Sequence, residues 1–221
     1  MMVVTLKRCY SDVDGICGEA AALCCNSSNP QKSLAIARGN GHLSVMEHSA
    51  FTFLVEGVSR ALLAQLTRHR IASFSVQSQR YIDMSSKCAY VVPPNIKSLR
   101  PSAESEFMYQ MGMIHGWYKN WQDELLAAGH TQGEANEDAR FVLPNATATS
   151  LMVTMNAREL MHFFELRCCN RAQWEIRQMA WLMLEQCKIV APELFKDAGP
   201  ACFRGPCPEG KMTCGNPPKK E

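Results

Sequence analysis

Along the chain, apolar positions fall into helical and strand-like registers separated by turn residues. Residues 16 to 38 read as one or two short helices, broken around Asn26-Ser-Ser-Asn-Pro30, and Gly39-Asn-Gly41 is a turn signal. His42 to His48 follows as a polar, irregular or single-turn segment. In AFTFLVE, residues 50–56, Phe51, Phe53 and Val55 alternate onto one side, which is the period of a strand. Ser59 is placed to cap a helix running to about His69, with Leu62, Leu63 and Leu66 as its apolar stripe. Pro93-Pro94 marks an irregular stretch. Ser102 then opens a long helix to about Ala128, which Gly129 stops. Another helix covers roughly residues 133–143 and ends before Pro144, and Thr147 to Thr154, rich in Thr and Val, is a candidate strand. Asn156-Ala-Arg-Glu159 pairs an N-cap with a glutamate three residues on, the pattern of a capping box. It starts a helix to about Arg167, and a last helix runs from Ala172 to about Val190. Helices and strands are mixed, with too few strands for a doubly wound sheet. The expected fold is α+β: a single domain over residues 1–198, with a small mixed sheet packed by several long helices, then a Cys/Pro/Gly-rich tail over 199–221.

Composition narrows the class. The 221 residues are 47% hydrophobic and 20% charged, which excludes a disordered chain. A net charge of +2 gives no global reason for nucleic-acid or membrane binding, so any basic site must be local. The longest charge-free stretch, residues 141–157, holds Pro144, Asn145, Asn156 and three Thr, and is no membrane span. The N-terminus shows no apolar signal region, and the expected compartment is the cytoplasm. Eleven cysteines in that setting read as reduced thiols.

The segment from Arg68 to Arg80, RHRIASFSVQSQR, carries the most chemistry. No acid occurs between Glu56 and Asp83, and the same window holds Arg60, Arg68, Arg70 and Arg80. Guanidinium forks suit phosphate, and Ser73, Ser75 and Ser78 add hydroxyl donors. The residues alone leave three readings open: a phosphorylated ligand's site, a solvated basic loop, and a nucleic-acid patch.

The pattern RHR-x7-S-x-R, met by Arg68, His69, Arg70, Ser78 and Arg80, resembles the signature of the flavin-dependent thymidylate synthases. His42-Leu-Ser-Val-Met-Glu-His48 resembles that family's H-x-[ST]-x-x-E-H segment, and Gln65 stands three residues before Arg68 as it does there. Residues 139–144, ARFVLP, and the block containing Asn156, Arg158, Arg167 and residues 172–176 agree in order. The match covers roughly residues 39 to 190. The resemblance implies an enzyme making dTMP from dUMP, with methylenetetrahydrofolate as carbon donor and FAD reduced by NADPH. It implies a homotetramer with sites between subunits, acting on neither nucleic acid nor membrane. It assigns Ser44, Arg68, His69, Arg70, Asn156, Arg158 and His162 to the cofactor. It assigns Gln65, Arg68, Ser78, Gln79, Arg80, Arg140 and Arg167 to dUMP. Arg167 is the expected catalytic residue, a fixed cation favouring the anionic pyrimidine, with no cysteine nucleophile. The chain departs from many members at Val76, where they carry Glu, at His162, where they carry Asn, and at Arg171, where they carry His. A flavin-binding paralogue without synthase activity, or a nucleotide- or RNA-binding module, is the alternative.

His42 and His48 lack the spacing of a zinc-protease helix. In the tail, Cys202, Cys207 and Cys214 follow C-x4-C-x6-C, without the close pair of a zinc knuckle. Three thiolates would need a fourth ligand from elsewhere, a packed or flexible tail is the plainer reading, and no metal is assigned.

Overall fold

A computed structural model describes residues 1–85 and 88–219; the last two positions of the tail lie outside them. The elements are β1 (Val3–Cys9), α1 (Val13–Cys24), α2 (Pro30–Gly39), β2 (Ala50–Ser59), α3 (Arg60–Leu66), β3 (Ala72–Val76), α4 (Pro94–Lys97), α5 (Ala103–Ala127), α6 (Gln132–Ala139), β4 (Ala148–Asn156), α7 (Ala157–Arg167) and α8 (Trp174–Val190). The strands form one four-stranded sheet in the order β1-β2-β4-β3, and the chain is α+β. β2 and β4 run antiparallel: the Thr52 and Thr154 hydroxyls lie 2.9 Å apart, and Arg60 N donates to Thr147 O at 3.1 Å. The strand expected at residues 50–56 extends to Ser59, and its alternation is that of the core, with Phe51, Phe53 and Val55 fully buried.

The chain groups into two compact units, one of residues 2–55, 65–74 and 152–221, the other of residue 1, 56–64 and 75–151. In the first, Phe51 of β2, Phe164 of α7 and Phe195 meet edge to face, with ring centroids 5.5 and 5.9 Å apart. Such aromatic pairs add about 0.5–1.5 kcal/mol beyond their burial. Leu160, Phe163, Ile176 and Met183 extend this core along α7 and α8. Asp14 on α1 accepts from the backbone N–H groups of Glu193 and Leu194 at 3.0 and 2.9 Å, fixing the segment after α8.

In the second unit, α5 carries a buried polar set between α6 and the segment after β3. Gln122 donates to Asn136 Oδ1 at 2.6 Å, and Asn136 Nδ2 donates to Arg80 O at 3.0 Å. Buried polar groups fix a unique arrangement only when satisfied, and this one holds the backbone of Arg80. Helix α5 stops where Gly129 takes φ +93°, a conformation costly for a residue with a Cβ. Among the described residues no helix is long and apolar enough to cross a membrane.

Two strands were not expected. β1 sits at the sheet edge, and its sequence VVTLKRC mixes apolar and basic residues without clean alternation. β3 occupies five residues inside the arginine-rich segment. α3 ends at Leu66, earlier than His69, so Arg68 to Arg70 lie outside the helix.

Candidate active site

Helix α7 begins because Asn156 caps it: its side-chain oxygen accepts from Glu159 N at 2.9 Å. The Glu159 carboxylate does not return to close a capping box. It turns into the core and meets His69 Nδ1 at 2.9 Å, with both side chains buried. His69 in turn receives, at Nε2, a hydrogen bond of 3.1 Å from Arg167 Nε, the last residue of α7. A guanidinium has no acceptor. His69 Nε2 must therefore carry the lone pair, and Nδ1 carries the proton that Glu159 accepts. Burial lowers the His69 pKa, outweighing the hydrogen bond to Glu159, and the Arg167 cation adds to the lowering. The imidazole is thus held neutral in one tautomer. The Phe163 ring, edge-on at 5.0 Å, packs against it. Burial also lowers the Arg167 pKa, yet arginine keeps its proton in proteins.

Around this chain lies a cavity of about 1310 Å³. Its walls come from the α2 end and the turn after it, the segment 68–71, α7, and the tail. The cations facing it differ in their engagement. Arg158 pairs with Glu47, Arg38 donates to Glu193 O at 2.6 Å, and Arg204 pairs with Glu165 at 2.7 Å. Among the described residues, the side chains of Arg68 and Arg70 have no hydrogen-bond or ion-pair partner. Both are exposed. No cysteine among the described residues lines the cavity.

A family profile described as thymidylate synthase complementing protein matches residues 3–193. The chain belongs to that family. It is 53% identical over 184 residues to a flavin-dependent thymidylate synthase of Nitratidesulfovibrio vulgaris, covering 82% of this chain and 74% of the relative. It is 53% identical over 175 residues to a protein of the same name from Geobacter sulfurreducens, covering 79% and 72%. One from Clostridium tetani is 45% identical over 217 residues, covering 95% and 85%, so likeness there reaches well into the tail.

The cavity brings together Arg68, His69, Arg70, Asn156, Arg158, His162 and Arg167 from the expected set. Both ring nitrogens of His69 have partners inside the protein, Glu159 at Nδ1 and Arg167 at Nε2. Ser44 and Gln65 do not line the cavity. Ser44 is exposed on the 3-10 turn Leu43–His48, whose Leu43 and Glu47 do line it, and Gln65 is half-buried, its backbone oxygen accepting from Arg68 N.

Ser78, Gln79, Arg80 and Arg140 belong to the second unit. There Ser78 Oγ accepts from Arg80 N at 3.2 Å, and Arg80 pairs with Glu137 at 2.8 Å. Arg140 Nε donates to Glu137 O at 3.1 Å. Arg60 lies close enough to Arg140 that repulsion adds to burial in lowering its pKa, and its Nε is buried without a partner.

Sequence reasoning missed Glu159, Arg38 and Arg204 as parts of the site. Glu159 reads locally as a cap residue, and Arg38 precedes a turn without any further pattern. Arg204 sits in the tail, whose place in the cavity wall has no signal in sequence periodicity.

Proposed function

We propose that this chain is a flavin-dependent thymidylate synthase that converts dUMP to dTMP, with methylenetetrahydrofolate as carbon donor and FAD reduced by NADPH. The observation that carries the proposal is the pairing, in one cavity, of unengaged guanidinium groups at Arg68 and Arg70 with an oriented one at Arg167. The donor set suits FAD. A dinucleotide carries a diphosphate, for which guanidinium forks are matched partners, and about 1310 Å³ exceeds the roughly 300–1,000 Å³ of ordinary small-ligand pockets. Arg68, Arg70, Asn156, Arg158 and His162 would hold the cofactor, with Ser44 beside them. When bound, the flavin supplies the hydride chemistry.

The protein's own part is electrostatic. For the pyrimidine C5 to attack a carbon electrophile, negative charge must build on the ring. Arg167 uses Nε–H on His69, which leaves its terminal N–H groups for the substrate edge. A fixed cation there favours the anionic ring, in a half-buried site where charge interacts more strongly than in water. Arg167 does not give up its proton. His69 keeps its own on Nδ1, bound to Glu159, and so holds the guanidinium without competing for the substrate's proton. Gln65, Ser78, Gln79, Arg80 and Arg140 complete the proposed dUMP contacts. Residues 1–198 carry this chemistry in a cytoplasmic homotetramer, with the tail as an addition to the cavity wall.

The test is dTMP formation from dUMP tritiated at C5, with folate donor, FAD and NADPH, alongside flavin titration. The expected result is tritium release that requires every component. Flavin binding without dUMP-dependent release would point to the paralogue reading, and a protein that binds no flavin would overturn the proposal.

A further inference from the structure

The tail beyond Ala198 is ordered without a core of its own. It contains two single 3-10 turns, Ala201–Phe203 and Gly210–Met212. Past Pro200 no apolar side chain of the described residues is buried. Fixing a residue's backbone costs about 1–2 kcal/mol, and the visible ties are few. Asn170 donates to Asn216 O at 2.6 Å, Arg171 donates to Met212 O and pairs with Glu209, Arg204 pairs with Glu165 and donates to Asp197 O, and the Phe203 ring lies 6.1 Å from that of Trp181 on α8. Short segments that lack a core are ordinarily held by disulfides or metals, and no disulfide joins these cysteines.

Four thiols converge where the tail meets the turn after α7. Cys169, Cys202, Cys207 and Cys214 line one cavity of about 250 Å³. Cys169 comes from the α7–α8 turn and supplies the fourth ligand that the C-x4-C-x6-C spacing lacks.

We propose that Cys169, Cys202, Cys207 and Cys214 are the four thiolate ligands of a soft-metal centre that clamps the tail to the end of α7. Four sulfur ligands select zinc or an iron–sulfur core over hard cations. A zinc ion with Zn–S near 2.3 Å needs sulfurs about 3.8 Å apart. Among the described residues no three Cys, His, Asp or Glu side chains stand that close to one ion's position. A multi-iron core spans a wider ring of sulfurs, whereas zinc requires the tail to draw in. Either occupant would tie down both walls of the larger cavity. Cys169 stands two residues after Arg167, and Cys202 lies beside Phe203 and Arg204.

The test is elemental analysis of the full chain purified without oxygen, with acid-labile sulfide measured in parallel. The expected result is about one zinc per chain, or iron with matching sulfide. That metal should be lost in Cys169→Ser, Cys202→Ser, Cys207→Ser and Cys214→Ser, and kept in Cys24→Ser, whose thiol is exposed on α1. The metal-free variants should melt about 5 °C or more lower. Should the variants not accumulate, thiol counting on the unaltered chain decides: four of the eleven cysteines should resist alkylation until metal is stripped. A wild-type chain with no metal and all four thiols reactive, a disulfide among them, or metal retained in the variants would overturn the proposal.

Discussion

Two groups of arginines face the same cavity and are treated oppositely by the fold. Arg167, at the end of α7, is half-buried and bonded through Nε to a neutral histidine that is itself anchored on a buried carboxylate. Arg68 and Arg70, in the segment between α3 and β3, are exposed and have no partner among the described residues. A charge meant to act on a reacting ring has to be aimed before the ring arrives. A charge meant to grip a diphosphate has only to be reachable. On this contrast, truncating the first group should damage turnover and truncating the second should damage affinity.

The largest effect is expected at Arg167. Losing one oriented donor to developing charge costs about 2.7–4 kcal/mol, or about 10²–10³ in rate. Arg167→Ala should lower kcat by that factor in single-turnover assays at saturating dUMP. Arg167→Lys should recover only part of it, because an ammonium cannot donate to His69 and the substrate in the same planar fork. Flavin titration should be little changed in both. Unchanged turnover with weaker dUMP binding would erase the distinction between the two groups.

Next in size are Arg68→Ala and Arg70→Ala. A hydrogen bond to a charged group is worth about 1.5–3 kcal/mol. Flavin affinity should therefore fall about 10- to 100-fold for each, with turnover retained once flavin saturates. A fall in kcat at saturation would place these residues with Arg167.

The smallest effect concerns pH. His69 has a folded pKa below its ordinary value of 6.5. Below about pH 6.5 the unfolded chain therefore binds more protons than the folded one. This contribution to stability is whole above 6.5 and is lost as pH falls toward the folded pKa. Protonation also puts an N–H at Nε2 facing the Arg167 N–H, so kcat should decline in the same acid window, by less than about tenfold at pH 5.5. The acid slope of Tm should be shallower in His69→Gln, which cannot titrate. An identical slope in that variant would remove His69 as its source.

Much of this was legible in the residues themselves. The caps at Ser59 and Asn156 and the stop at Gly129 mark helix ends because each acts within one turn. Phe51, Phe53 and Val55 announce β2 because burial on one face writes a period of two into the chain. The same period is present in β3, where Ala72, Phe74 and Val76 are half-buried and Ser73 and Ser75 exposed. Five residues between basic side chains are too few to make it stand out. The role of Glu159 was illegible for a different reason. Its local pattern satisfies a capping box, and only the approach of His69, 90 positions earlier, diverts the carboxylate. The tail's contribution to the cavity likewise depends on packing partners that its own sequence does not encode.

The tether on Arg167 has a further consequence in entropy. A free arginine side chain samples many rotamers, worth about 2 kcal/mol in freedom, and ordering it on binding would subtract about 0.5–1.5 kcal/mol from affinity. In this protein that loss falls on folding, where the core around Phe163 and Phe164 absorbs it once. Every later encounter with a ligand finds the side chain already still, while Arg68 and Arg70 must be quieted anew each time.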